Sequence, residues 1–330
     1  MYTNIRILTI AKGIPIEYNT NETNIETIFG LYESNEIIQQ FTFQVNITPD
    51  KQCLDDAVSN SKEVHINDDC ILFYSFRYQV SFAHFTIQTV PILKQFLDNP
   101  LTKLLVPRHE YSIIQKNIFE LLGISENRII FLEDTTIYTI NKLYKNIIYE
   151  CPPSSWTEDH TYIYKLLREK LGVTPSVNPT KRIYIRRDGI PNKAYGNSEI
   201  GKTRVILNED ELISMLRQYN FDVVTLGDKT LLEKKELLDN SDIIITPNGS
   251  NCMNLIFTNM ANTILLLSND NPILYDSYMS LYSVLNKISI NYKLLTYPTN
   301  HTLGDPKNQW NSPFTVDINS LEEEIIKITS

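Results

Sequence analysis

Glycine is scarce, with 10 in 330 residues, and no two glycines are separated by a single residue. The chain therefore has no G-x-G-x-x-G, and a nicotinamide- or flavin-binding turn finds no support. The four cysteines, Cys53, Cys70, Cys151 and Cys252, form no CxxC pair, and none sits at zinc-ligand spacing from a histidine. Neither a disulfide framework nor a structural zinc site is indicated. A G-x-S-x-G is missing, which removes esterase chemistry. No Asp-x-Asp stands at a strand end, so no metal holding a diphosphate is suggested. Long apolar runs are missing too: nothing approaches about 18 consecutive residues, the length a membrane-spanning helix needs. The opening MYTNIRILTIAKGIPIEYN carries no apolar leader core. Positive charge is short, with 30 Lys and Arg against 39 Asp and Glu and a net charge of −9. That balance argues against a nucleic-acid partner, which needs clustered cations. The expectation is a cytoplasmic protein with reduced thiols and no transmembrane segment, a composition that leaves room for peripheral membrane contact.

What is present is apolar material, 42% hydrophobic residues, in a chain longer than one core usually serves. Short strands are expected over Ile5–Ile10, Thr27–Leu31 and Phe41–Ile47. From Cys70 the rhythm becomes strand, helix, strand. Ile71–Tyr74, Lys103–Pro107 and Arg128–Leu132 read as strands, and Ala83–Leu97 and Ser112–Leu122 as helices, the second ending at Gly123. Cys151-Pro152-Pro153-Ser154-Ser155 is the best linker, because two prolines continue neither neighbouring element. A helix over Glu158–Leu171 opens a second series. It continues with strands at Arg182–Arg186, Phe221–Leu226, Asp242–Thr246 and Thr263–Leu267, and helices after Asn208, over Leu231–Leu238 and after Asn248. Asn208 with Glu211 reads as a capping box. The pattern predicts an α/β fold of two Rossmann-like halves with parallel sheets, residues 1–155 and 156–330, plus a terminal helix over Ser320–Ile328 free to pack back on the first half.

Four constellations carry chemistry. Gly196-Asn197-Ser198-Glu199-Ile200-Gly201-Lys202-Thr203 matches the Walker A pattern letter for letter. The preceding strand ends about ten residues earlier, however, and no helix opens at Lys202, so the phosphate cradle lacks its context. Arg186 and Arg187 follow a buried strand at the carboxyl edge, where open α/β sheets bind ligands, and guanidinium groups suit a diphosphate. Asn248-Gly249-Ser250-Asn251 joins a strand to a helix and offers amides to an anion. His84, after the Ile71 strand, has the pKa range of a general base; the other histidines have no comparable context. Each constellation also has a plain structural reading: a polar loop, a surface arginine pair, a capped turn and a satisfied histidine.

Taken in order, these segments resemble glycosyltransferase family 61, the DUF563 group. The family's C-terminal half runs as R-x-I-x-I-S-R, a loop, R-x-I-x-N-E-x-E-L, and a hydrophobic strand leading into H-G-A-x-x-x-N-x-x-F. Arg182–Arg187, Arg204–Leu212 and Asn248–Phe257 occupy those places at fitting spacing. Phe82-Ala83-His84-Phe85 with Pro91-Ile92-Leu93 is similar to its N-terminal aromatic segment, so the likeness spans about residues 70–270. The Walker-like string falls in the variable loop. One departure stands out: the family's histidine before Gly-Ala is Asn248 here, and the alanine is Ser250.

The resemblance implies a GT-B fold, two Rossmann-like domains facing a central cleft. It also implies inverting, metal-independent transfer of a hexosyl or pentosyl unit from a nucleotide sugar, UDP-linked by preference, to a glycan or other hydroxyl acceptor in surface polysaccharide assembly. No cofactor or metal is expected. The donor would lie on the C-terminal half, against Arg186, Arg187, Arg204, Asn208, Glu209, Asn248, Gly249, Ser250, Asn251 and Asn254. His84 would be the base, and Asn248, uncharged, would donate a hydrogen bond in place of the histidine. The alternatives are a nucleotide-sugar-binding relative without transferase activity, a P-loop nucleotide-binding protein using Gly196–Thr203, and an epimerase or phosphorylase on the same fold.

Overall fold

The computed structural model describes residues 2–10, 28–33, 36–42, 59–73, 85–108, 113–133, 136–144, 157–173, 179–187, 206–227, 229–258, 263–270, 286–287, 290, 292–298 and 313–329. Contacts divide the chain into two compact units, Met1–Cys151 with Thr157–Ile163, and Pro152–Trp156 with Tyr164–Ser330. Both are α/β. No described helix is long and apolar enough to cross a membrane.

The first unit holds a seven-stranded sheet: β1 (Tyr2–Ile10), β2 (Ile28–Glu33), β3 (Glu36–Thr42), β4 (Lys62–Leu72), β5 (Lys103–Pro107), β6 (Ile129–Leu132) and β7 (Thr136–Leu143), ordered β3-β2-β1-β7-β4-β5-β6. Strands β4 to β7 are parallel, but β1, β2 and β3 join antiparallel, so this sheet is mixed rather than purely parallel. Leu104, Leu105 and Val106 are fully buried, as a strand covered on both faces requires. The third strand lies at Glu36–Thr42, its register set by the pairing of Glu33 with Glu36; of the expected Phe41–Ile47, residues 43–47 lie outside the described residues. Strand β4 starts at Lys62, well before Ile71. Its first half exposes Lys62, Glu63 and His65, which hides it from an apolar-run reading. Strand β7 escapes for a similar reason, its buried Ile137, Tyr138 and Ile140 being interleaved with Thr139 and Asn141.

The helix expected over Ala83–Leu97 is broken. Phe85–Thr89 forms a π turn, and α1 (Ile92–Asp98) begins only after Pro91. Proline has no N–H for the carbonyl four residues earlier. That carbonyl, Ile87 O, lies instead 2.7 Å from Nε2 of the fully buried His160. The other ring nitrogen, Nδ1, accepts from the Thr157 N–H at 3.2 Å, at the start of α3 (Glu158–Lys170). His160 thus takes the place of the glutamate in a capping box. Helix α2 (Ile113–Leu121) ends as expected at Gly123, whose φ of 66° suits glycine; the Ile124 N–H closes back on Phe119 O at 2.9 Å.

The second unit holds a five-stranded, fully parallel sheet: β8 (Lys181–Ile185), β9 (Phe221–Val224), β10 (Ser241–Pro247), β11 (Thr263–Asn269) and β12 (Tyr292–Tyr297), ordered β12-β11-β10-β8-β9. Strand β12 is one more than the sequence suggests; its Lys293 and Thr296 are exposed. Helices α4 (Glu209–Gln218), α5 (Leu231–Asp239) and α6 (Ile318–Thr329) complete the unit. Asn208 stands at the start of α4, but its side chain caps nothing. Its amide pairs both ways with the Val316 backbone, donating to the carbonyl at 2.8 Å and accepting from the N–H at 3.0 Å. A true capping box lies at α5, between Thr230 and Glu233.

The Asn208 pairing, with the Leu207 N–H on Phe314 O at 2.9 Å, leads the chain into α6. The terminal helix, expected to be free to pack back on the first half, belongs to this core: Leu321 and Ile325 are buried with Tyr184, Leu212, Phe221 and Leu265. Leu321→Ala is expected to lower unfolding free energy by about 2–5 kcal/mol in denaturant titration; a loss under about 1 kcal/mol would mean the helix is peripheral.

A second expectation concerns alkali. Burial, reinforced by Asp68 and Asp69, pushes the Cys70 thiol up to about 12, and burial pushes the Tyr297 phenol to about 12. Both stay neutral in the fold at pH values where the unfolded chain already ionises. Their contribution is complete below the unfolded values and is lost as pH rises from about 9 to about 12. Denaturation midpoints should fall across that window, and Cys70→Ala should flatten the fall.

Candidate functional site

In chain order the second sheet reads second, first, third, fourth, fifth. From β8 the chain moves outward to β9, then crosses back to β10 and continues the other way. At such a reversal the connections leave two neighbouring strands in opposite directions and open a crevice at their carboxyl ends. The strands are β8, followed by Arg186 and Arg187, and β10, followed by Asn248 and Gly249. Their register, Tyr184 opposite Ile245, brings the two sequence segments side by side.

Arg186 is half-exposed and committed: its Nε and Nη2 donate to Glu209 Oε2 at 3.0 and 2.9 Å. The other carboxylate oxygen accepts from the Tyr184 hydroxyl at 2.8 Å. Burial, then the charge of Glu209, lifts that phenol far above its ordinary range, while Glu209 raises the Arg186 guanidinium. Glu209, at the first position of α4, therefore holds the two β8 side chains rather than lying open to a ligand. Arg187 differs. Burial lowers its pKa, and the neighbouring Cys252 thiol acts against that. Its guanidinium remains charged and partly desolvated, where attraction to an anion is strongest.

The segment after β10 is a 3₁₀ helix, Ser250–Phe257, and not the α-helix the sequence suggests. Such long 3₁₀ runs are uncommon and need outside support. At its start the Asn248 N–H donates to Leu267 O at 2.6 Å, and the Cys252 N–H to Gly249 O at 2.9 Å. At its end Arg168, from α3, donates through Nη1 to Ile256 O and, at 2.8 Å, to Thr258 O. No motif announces Arg168. The available signal is its place on the apolar face of α3 with Tyr164, Leu167 and Leu171, where a buried arginine must find acceptors.

Two side chains of this segment are almost wholly buried and half satisfied. Asn248 (3% exposed) donates through Nδ2 to Ser268 Oγ at 3.1 Å, and Asn254 (2% exposed) through Nδ2 to Asn251 O at 2.9 Å. The Oδ1 of each has no hydrogen-bond partner among the described residues. At Asn254 the accepting carbonyl fixes the oxygen as the unpaired end; at Asn248 the Ser268 hydroxyl can serve either end of the amide. Of the remaining sequence candidates, Gly249 and Asn251 lie in this turn and the backbone of Ser250 begins the 3₁₀ helix. Asn208 is engaged in its pairing with Val316. His84, Arg204 and the Gly196–Thr203 string lie outside the described residues. Among the described residues no three His, Cys, Asp or Glu side chains gather as a metal site.

The family model for Glycosyltransferase 61 matches residues 82–265, more than half of the chain. The chain belongs to glycosyltransferase family 61. Comparison with curated proteins finds no match. The glycosyltransferase acts on a sugar donor and an acceptor, and the matched span takes in Arg186, Arg187 and the whole turn from Asn248 to Asn254. Removing the clamp on that turn should be costly. Arg168→Ala leaves two buried carbonyls without their donor, and a loss of about 1–3 kcal/mol is expected in denaturant titration. Arg168→Lys should restore only part, because one ammonium replaces a planar fork.

Proposed function

We propose that this glycosyltransferase carries out an inverting, metal-independent transfer from a nucleotide sugar, UDP-linked by preference, to a hydroxyl of a glycan acceptor. The setting we propose is cytoplasmic assembly of a surface polysaccharide, on a GT-B arrangement whose second unit binds the donor. The observation that carries the donor reading is the partly desolvated Arg187 guanidinium, beside Cys252 in the turn at the strand reversal. A fixed cation in a site of low polarity stabilises charge as it develops on the leaving nucleoside diphosphate. Arg186, half neutralised by Glu209, would add less.

The step we propose is an in-line displacement. The acceptor oxygen forms a bond to the anomeric carbon as the bond from that carbon to the phosphate oxygen breaks. The electron pair leaves with the diphosphate, and the hydroxyl proton passes to His84 as base. Calorimetric titration with UDP, GDP, CDP and ATP in excess EDTA tests the donor side. One nucleoside diphosphate should bind without metal, and Arg187→Ala should weaken it about tenfold or more. His84→Ala should abolish sugar transfer while leaving that binding intact. Binding of ATP alone, and only with magnesium, would overturn the reading.

A further inference from the structure

The hydrogen-bond inventory of the turn after β10 separates two kinds of ligand chemistry. A main-chain carbonyl only accepts, so the 2.9 Å contact with Asn251 O fixes Asn254 with its Nδ2 on that carbonyl and its Oδ1 unpaired. Asn248 places its Nδ2 on Ser268 Oγ, a hydroxyl that accepts or donates. In this arrangement the Oδ1 of each is buried and without a hydrogen-bond donor among the described residues. Buried polar atoms are nearly always paired in folded proteins, so each oxygen calls for an N–H or O–H from outside the turn. The diphosphate of a nucleotide sugar, esterified at both ends, keeps no proton at neutral pH and cannot supply one. Its oxygens accept, and an amide oxygen facing them repels. The Arg187 cation comes from a different segment, at the end of β8.

We infer that Asn248 and Asn254 take the hydroxyl- or amide-bearing part of the donor, its ribose or its transferred sugar, and not its diphosphate. This rests on the reading of the turn as the donor site. The division of labour follows from charge: the guanidinium meets the anion, and the two amide oxygens count and orient neutral hydrogen-bond donors. Asn248 is then a specificity-determining residue, setting which hydroxyl pattern the site accepts.

The test uses UDP, or whichever of UDP, GDP and CDP the wild type selects, with its glucose and N-acetylglucosamine conjugates, its 2′-deoxy and 3′-deoxy forms, and pyrophosphate. Affinities are measured for the wild type, Asn254→Leu and Asn248→Leu, with thermal melts confirming that each variant folds. The expected result is a loss of about tenfold in sugar-nucleotide affinity in each variant, with pyrophosphate binding unchanged. If the partner is ribose, both the plain nucleotide and its conjugates weaken, and the wild type discriminates against a deoxy form. If it is the transferred sugar, only the conjugates weaken. The deoxy comparison and the gain of conjugate over nucleotide are read on the wild type, and indifference to both would overturn the inference even if a variant does not fold. Equal weakening of pyrophosphate and conjugate, or variants indistinguishable from wild type, would overturn the inference and leave the donor site standing. A wild type that binds pyrophosphate but no nucleotide or conjugate would overturn the donor reading itself.

Discussion

Much of the site depends on the change of winding direction in the second sheet. Because β9 follows β8 outward and β10 returns to β8's other side, the carboxyl ends of β8 and β10 are neighbours without being consecutive in sequence. Arg186 and Arg187 meet a turn about sixty residues further along the chain only through this arrangement. Parallel pairing makes the juxtaposition rigid, since all five strands point their carboxyl ends the same way and the inner ones are buried on both faces.

Within each unit the structure uses buried polar groups to hold irregular backbone in place. Pro91 deprives Ile87 of a donor and His160 takes its place. The 3₁₀ helix ends with carbonyls that Arg168 collects. Asn208 pairs with Val316 as a strand neighbour would, drawing the last segment against α4. Each of these is a side chain doing the work of a missing backbone partner, which is the general requirement on a buried N–H or C=O. Against that background the unpaired oxygens of Asn248 and Asn254 stand out, because Ser268 on β11 and the Asn251 carbonyl satisfy the other end of each amide.

Legibility along the chain followed burial. Strands covered on both faces, such as Lys103–Pro107 and Ser241–Pro247, appear as apolar runs and were placed closely from sequence. Strands with one wet face, the first half of β4, β7 and β12, carry lysine, threonine and asparagine among their apolar residues, and the run disappears. Helix ends were legible where backbone chemistry is local, as at Gly123. They were misread where a distant partner decides: Asn208 has the residue type and spacing of a cap, yet a segment more than a hundred residues away competes for its amide and wins.

By itself the sequence determined the alternation of strands and helices and the order of segments that marks the family, because hydrophobic period and turn chemistry are local properties. It also singled out Arg187 and the Asn248 turn, since those residue types follow buried strands. Only the tertiary structure decided that Glu209 is occupied by Arg186 and Tyr184, that Arg168 supports the turn, and that Asn254 keeps an oxygen unpaired. A side chain's free hydrogen-bonding capacity is what remains after its neighbours have taken theirs, and those neighbours are brought by the fold from distant parts of the chain.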